Sequence, residues 1–166
     1  MFYKMIENKC KEWYSSDQCT VRNLIEYIEK TGQMRDAQIE AIKVYLFLKI
    51  GCECKPLEFL FRYGCFNSIN LNDIELSTAT REYLEENPAA TALFEYSRLT
   101  NDKGEQVSEK LEKQIKKDPS SIDYDAFFRT AFYGVSYTDY LFSLPMGAGK
   151  TYLLSLIHIS EPTRRS

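Results

Sequence analysis

Histidine is almost missing from this chain, since the 166 residues contain one, His158, and it stands close to the C-terminus. Histidine is the side chain that most often serves as a general base near neutral pH, and it is the commonest metal ligand. Residues 1–157 therefore exclude histidine general-base catalysis and histidine metal ligation.

The number of cysteines is odd, with Cys10, Cys19, Cys52, Cys54 and Cys65. Because no secretory signal pattern precedes them, we expect a reducing, cytoplasmic environment without a disulfide framework. Cys52, Cys54 and Cys65 could supply three zinc ligands, but no fourth ligand stands at a suitable spacing. We prefer to interpret them as buried thiols that pack like small hydrophobic side chains.

Long apolar runs are also missing. The apolar run 44–48 is short, and Lys43 and Lys49 flank it, so it is not predicted to span a bilayer. We expect a soluble protein with no membrane partner. A composition that is 44% hydrophobic and 14% aromatic is sufficient for a packed core.

The last thirteen residues, LSLIHISEPTRRS at 154–166, resemble the in-frame translation of a sequencing-library adaptor. A genuine amphipathic helix end is the alternative. We expect this tail to be non-native and interpret residues 1–153 as the protein. Without Glu161, Arg164 and Arg165, the chain has 19 basic and 23 acidic residues, a net charge of −4. This acidic balance argues against a polybasic nucleic-acid-binding tail, although a local basic groove remains compatible with it.

The first 130 residues carry apolar positions at helical spacing, which predicts a mainly α region. Thr20 is a candidate N-cap, Gly32 and Gly51 are candidate helix ends, and Pro88 separates two helices. Apolar positions 39, 42, 46 and 50 predict one buried stripe. A turn is predicted at 101–104, and helices are predicted at 21–28, 35–50, 57–63, 77–86, 89–99, 105–117 and 123–133.

Two sets of side chains on these helices have alternative interpretations. The helix 105–117 carries lysines that could contact phosphate, but charge pairs at a spacing of four residues favour a solvated face. The helix 123–133 carries aromatic residues that could stack on single-stranded nucleic acid, but their helical spacing favours a core position. The lysines are Lys110, Lys113 and Lys117, and the aromatic residues are Phe127, Phe128, Phe132 and Tyr133.

The pattern changes at residues 139–144, DYLFSL, which are predicted to form a short buried strand. This run leads directly into PMGAGKT at 145–151. A strand, a glycine loop that ends in Gly-Lys-Thr, and an expected helix form the context that a phosphate-binding loop requires. The match departs from the strict pattern at Leu144, where glycine is usual.

The residue types of this loop suit a nucleotide triphosphate. Backbone N–H groups at Gly147, Ala148 and Gly149 can surround phosphate oxygens, and the N-terminus of the next helix adds partial positive charge. Lys150 can reach the β- and γ-phosphates and is the candidate catalytic residue, while Thr151 can offer its hydroxyl to Mg²⁺. The sequence therefore predicts ATP and Mg²⁺ as cofactors.

Residues 144–151 resemble motif I of superfamily 2 helicases, which include DEAD/DEAH-box proteins and the helicase subunit of type III restriction enzymes. The resemblance implies a RecA-like α/β domain and ATP hydrolysis coupled to movement along nucleic acid, with DNA a more natural partner than RNA. It also suggests a restriction or other defence system. The family's motif II, motif VI and second RecA-like domain are not in this sequence.

Residues 34–42 resemble the family's arginine-x-x-glutamine helix, in which the glutamine recognises adenine. This resemblance implies adenine binding by Gln38, whose amide can both donate and accept hydrogen bonds. An ordinary polar helix position explains Gln38 equally well. The 112 positions between Gln38 and Lys150 exceed the family's usual separation and require an inserted helical region.

These observations predict three segments, namely a helical region at 1–134, the start of a RecA-like domain at 135–153, and the adaptor-derived tail at 154–166. We expect the chain to be the N-terminal fragment of a helicase or translocase. The alternatives are a P-loop ATPase that does not act on nucleic acid, and a helical module that binds a partner or DNA.

Deletion of residues 154–166 is expected to change the melting temperature negligibly. An adaptor-derived tail did not evolve with the protein, so it is not expected to pack into the core. Circular dichroism melts of the full chain and of residues 1–153 measure this difference. A loss of several degrees would show that the tail is structural.

Overall fold

The computed structural model of the chain describes residues 2–101, 103–133 and Thr151. The predicted mainly α fold is confirmed for this part, which forms no β-strand and contains one isolated bridge between Thr100 and Gln106. The predicted strand 139–144, the boundary at 134/135 and the tail 154–166 lie outside the described residues. No helix within the described ranges is long and apolar enough to cross a membrane.

Eight α-helices are formed by the described residues, and three short helical segments accompany them. A π-helical segment at Phe47–Gly51 continues α3, and 3₁₀ segments lie at Leu71–Asp73 and Pro119–Ser121. The α-helices are α1 Phe2–Ser15, α2 Arg22–Thr31, α3 Asp36–Leu46, α4 Leu57–Arg62, α5 Thr78–Glu86, α6 Pro88–Arg98, α7 Glu109–Lys117 and α8 Tyr124–Ala131.

The chain divides into two compact units. The described residues of unit 1 are 2–9, 55–101 and 103–133, which include α4 to α8 and the beginning of α1. Those of unit 2 are 10–54 and Thr151, which include the end of α1 with α2 and α3.

Helix α6 forms the centre of unit 1, where it contacts α4, α5, α7 and α8. Eight of its eleven residues are buried, so the helix is covered on all sides. Leu93 and Phe94 have no exposed surface. Around this helix, Phe61 and Phe128 are also fully buried, with ring centroids 6.0 Å apart. Burial of each such side chain stabilises the fold by roughly 1.5–3 kcal/mol.

A buried carboxylate on α6 fixes the loop that follows α4. Glu95 accepts hydrogen bonds from the backbone N–H of Ser68 at 2.8 Å and of Ile69 at 3.1 Å. The Ser68 hydroxyl donates to the same carboxylate at 2.6 Å. Since a buried charge is costly without such donors, this loop and α6 stabilise each other.

A second carboxylate, Glu112, connects α6 with α7. Its side chain is 12% exposed and accepts hydrogen bonds from Arg98, Gln106 and Lys116, the last at 2.9 Å. Burial alone would raise the pKa of Glu112, but the hydrogen bonds from Lys116 and Gln106 and the charges of Lys116 and Arg98 lower it. Lys116 stands four residues after Glu112 in the sequence, and this pair belongs to a largely buried cluster.

Capping residues account for most helix starts in unit 1. The side chains of Ser77, Ser108 and Asp123 accept backbone N–H groups at the starts of α5, α7 and α8. Pro88 stands at the first position of α6, where its missing N–H costs nothing. At the predicted turn 101–104, Gly104 N–H donates to Asn101 C=O at 3.0 Å, and Gly104 lies in the left-handed region at φ +80°.

The predicted helix 105–117 begins four residues too early. Residues 105–108 return along the preceding segment, because Val107 N–H donates to Leu99 C=O at 2.8 Å and Ser108 N–H donates to Ser97 C=O at 3.2 Å. Tertiary hydrogen bonds therefore replace helical ones until Ser108 caps α7.

Unit 2 has its own apolar core. Ile28 on α2 packs with Ile39 and Ile42 on α3, and Met34 lies against this cluster. Helix α2 ends at Gly32 as predicted, but the residue at its N-cap is Val21 and not Thr20. Val21 offers no side-chain cap, so this helix start lacks the predicted hydrogen bond.

The predicted helix 35–50 is confirmed in extent, but its last turn is a π-helix. Cys52 N–H donates to Phe47 C=O at 2.9 Å, a separation of five residues. This wider turn follows Leu46 and changes the phase of the residues after it relative to the apolar stripe. Positions 39 and 42 are buried as predicted, whereas Leu46 is half-buried and Ile50 is exposed.

Substitution Glu112→Gln is expected to lower the free energy of unfolding by about 2 kcal/mol at pH 7, because charge-assisted hydrogen bonds are lost and two cations remain. The matched control is Glu109→Gln, whose carboxylate is 68% exposed and pairs with Lys113 at 3.1 Å. It should lose less than about 0.5 kcal/mol.

The difference between wild type and Glu112→Gln should also depend on pH. The pKa of Glu112 is lower in the folded chain than its ordinary value of 4.5. The stability that Glu112 contributes is therefore fully present above pH 4.5 and is lost as the pH falls through the folded pKa. Urea unfolding at pH 7 and at about pH 3 measures this change. Equal losses of unfolding free energy for Glu112→Gln and Glu109→Gln at pH 7 would contradict the stabilising role of the Glu112 cluster.

Candidate nucleotide-binding residues

The predicted phosphate loop is represented in the described residues by Thr151. This residue has helical backbone conformation and is exposed. Gly147, Ala148, Gly149 and Lys150 lie outside the described residues. Their predicted contacts with phosphate, and the predicted contact of Thr151 with Mg²⁺, stay predictions.

Gln38 is the third residue of α3 and is 4% exposed. Its amide oxygen Oε1 accepts the backbone N–H of Arg35 at 2.8 Å. Arg35 is the N-cap residue, with extended backbone at φ −80° and ψ 153°. A glutamine at the third helical position that reaches back to the N-cap N–H satisfies one backbone donor outside the helix and fixes the direction of the chain.

This contact gives Gln38 a specific structural role. Its backbone N–H in turn donates to Arg35 C=O at 2.8 Å, so the first turn of α3 is closed by two hydrogen bonds between the same two residues. Recognition of adenine by Gln38 stays a prediction. Any nucleotide contact at this amide has to be compatible with the cap.

One turn beyond Gln38, Lys43 forms an ion pair inside unit 2. Its Nζ lies 2.7 Å from Glu29 Oε1 and 4.6 Å from the ring centroid of Tyr14. Burial, the largest single effect, disfavours the charged lysine, but the hydrogen bond to Glu29 and the negative charges around Lys43 together raise its pKa. Burial, reinforced by Glu29, raises the pKa of Tyr14. Near neutral pH Lys43 is therefore a cation and Tyr14 a neutral phenol.

Three of the five cysteines are buried and two are exposed. Cys10, Cys19 and Cys52 are buried, and burial, with the nearby Glu40, raises the pKa of Cys10 to about 12. Cys10 is therefore a protonated thiol and a poor nucleophile. Among the residues that the structure describes, no group of three or more His, Cys, Asp and Glu side chains is placed to hold a metal ion.

The prediction of buried thiols at 52, 54 and 65 is confirmed for Cys52 and wrong for the other two, which are exposed. Cys54 lies in a left-handed turn, with φ of 55° at Glu53 and 56° at Cys54. Cys65 follows Gly64, which has φ of +69°. Tight turns at the surface therefore separate both side chains from the apolar faces of their neighbours.

The candidate nucleic-acid contacts lie in unit 1. Lys110, Lys113 and Lys117 are exposed on α7, and Lys113 pairs with Glu109, so the predicted solvated face of mixed charge is confirmed. The Glu109 carboxylate offsets the charge of Lys113 in this pair.

The aromatic residues of α8 are core residues only in part. Phe128 is fully buried, while Phe127 and Phe132 are half-buried. Tyr133 is 89% exposed, so its predicted core position is wrong. It follows the last helical turn and has φ of 58°, which removes it from the buried face of α8.

An exposed aromatic pair was not predicted from the sequence. The rings of Phe59 and Tyr63 on α4 stack with centroids 4.2 Å apart, and Tyr63 is 65% exposed. Their spacing of four residues is the signal that could have predicted the contact.

Comparison of the chain with protein-family models, with curated proteins and with solved structures gives no match.

Substitution Gln38→Ala is expected to lower stability by about 1 kcal/mol without any nucleotide, because the N-cap N–H of α3 loses its acceptor. Gln38→Glu replaces the amide oxygen with a carboxylate oxygen that can accept the same N–H at the helix start, and it should retain most of that stability. The matched control is Gln114→Ala on α7, where the glutamine is exposed.

Thermal melts of the three variants test this capping contact. A shift of several degrees is expected for Gln38→Ala and little change for Gln114→Ala. Equal melting temperatures for Gln38→Ala and Gln114→Ala would contradict the capping role.

Proposed function

We propose that this chain is the ATP-binding N-terminal part of a nucleic-acid-dependent helicase or translocase, which acts in a restriction or other defence system. The observation that carries the proposal is the sequence at 144–151, an apolar run followed by Gly-x-Gly-Lys-Thr. The helical, exposed backbone at Thr151 is compatible with a loop that leads into a helix.

The donor set of this loop fits a magnesium nucleotide. Backbone N–H groups around Gly147 and Gly149 supply neutral donors, Lys150 supplies a positive charge, and Thr151 supplies a hydroxyl oxygen. Bound ATP would supply the phosphoanhydride bond whose hydrolysis drives movement in this class of enzymes. Hydrolysis also needs an acidic metal ligand and an arginine that stabilises the transition state, which the family supplies from motifs absent from these 166 residues.

A P-loop ATPase that does not act on nucleic acid is the second candidate. The observation that favours it is electrostatic, since the protein without its tail has a net charge of −4 and Lys113 on α7 is paired with Glu109. Nonspecific nucleic-acid binding depends on uncompensated positive charge.

The chain is expected to bind Mg²⁺-ATP weakly and to show no ATP turnover above background. Lys150→Ala should abolish binding, because the phosphates lose their point charge, whereas Lys113→Ala should leave it unchanged as a matched loss of one lysine. Binding of a fluorescent ATP analogue and phosphate release measure the two properties. Equal binding by Lys150→Ala and wild type would contradict the phosphate loop, and turnover abolished by Lys150→Ala would contradict the predicted inactivity.

The gene that encodes the chain separates the two candidates. Its reading frame beyond the codon for Leu153 should encode a helix, further strands, an acidic motif II at a strand end and an arginine-rich motif VI. A stop codon soon after Leu153 would exclude the helicase. A frame with motif II but without later helicase motifs would support the second candidate.

A further inference from the structure

We draw no further inference here: the strongest candidate, the exposed stacked pair of Phe59 and Tyr63 on α4, is an unpartnered aromatic face, and nothing in the structure shows what covers it.

Discussion

The burial of α6 on nearly all sides is the constraint on which unit 1 depends. A helix with eight of eleven residues buried cannot leave any polar group without a partner, so each one has to be satisfied inside the unit. Thr91 donates to Leu84 C=O at 2.5 Å, and Ser97 donates to Phe94 C=O at 2.7 Å. Glu95, the one carboxylate on this helix, organises the loop after α4 around itself. The central helix therefore determines the path of the chain that surrounds it.

Charge in unit 1 has two different roles according to its depth. Glu112 is largely buried and gathers donors from α6, from α7 and from the loop between them, so its removal leaves cations without a partner. Glu109 stands one turn earlier on the same helix, and its pair with Lys113 is exposed to water and screened. The two pairs have the same spacing in the sequence. Of these two carboxylates, Glu112 therefore joins α6 to α7, whereas the pair of Glu109 and Lys113 stays at the surface.

The arginine-x-x-glutamine spacing at Arg35 and Gln38 has a structural explanation. It places a glutamine at the third helical position, from which the side chain reaches the N-cap N–H. Recognition of adenine by the same amide stays a prediction, and Gln38 is 4% exposed. Variants at this position therefore change the stability of α3 even if they also change nucleotide binding. Stability has to be measured first in the absence of nucleotide.

Local chemistry along the sequence determined which segments are helical and where most of them begin. Pro88, Ser77, Ser108 and Asp123 act within a few residues of themselves, and the helices at 57–63, 77–86, 89–99 and 123–133 agree with the structure to within about two residues. The sequence also determined the phosphate-loop pattern at 147–151, because its chemistry depends on residue types at fixed spacing. Only the tertiary structure decided that α6 is central, that Glu112 is buried while Glu109 is exposed, and that α3 ends in a π-turn that exposes Ile50. The reason is that burial and non-local hydrogen bonds depend on which faces meet. Val107 and Ser108 donate to Leu99 and Ser97 instead of continuing a helix.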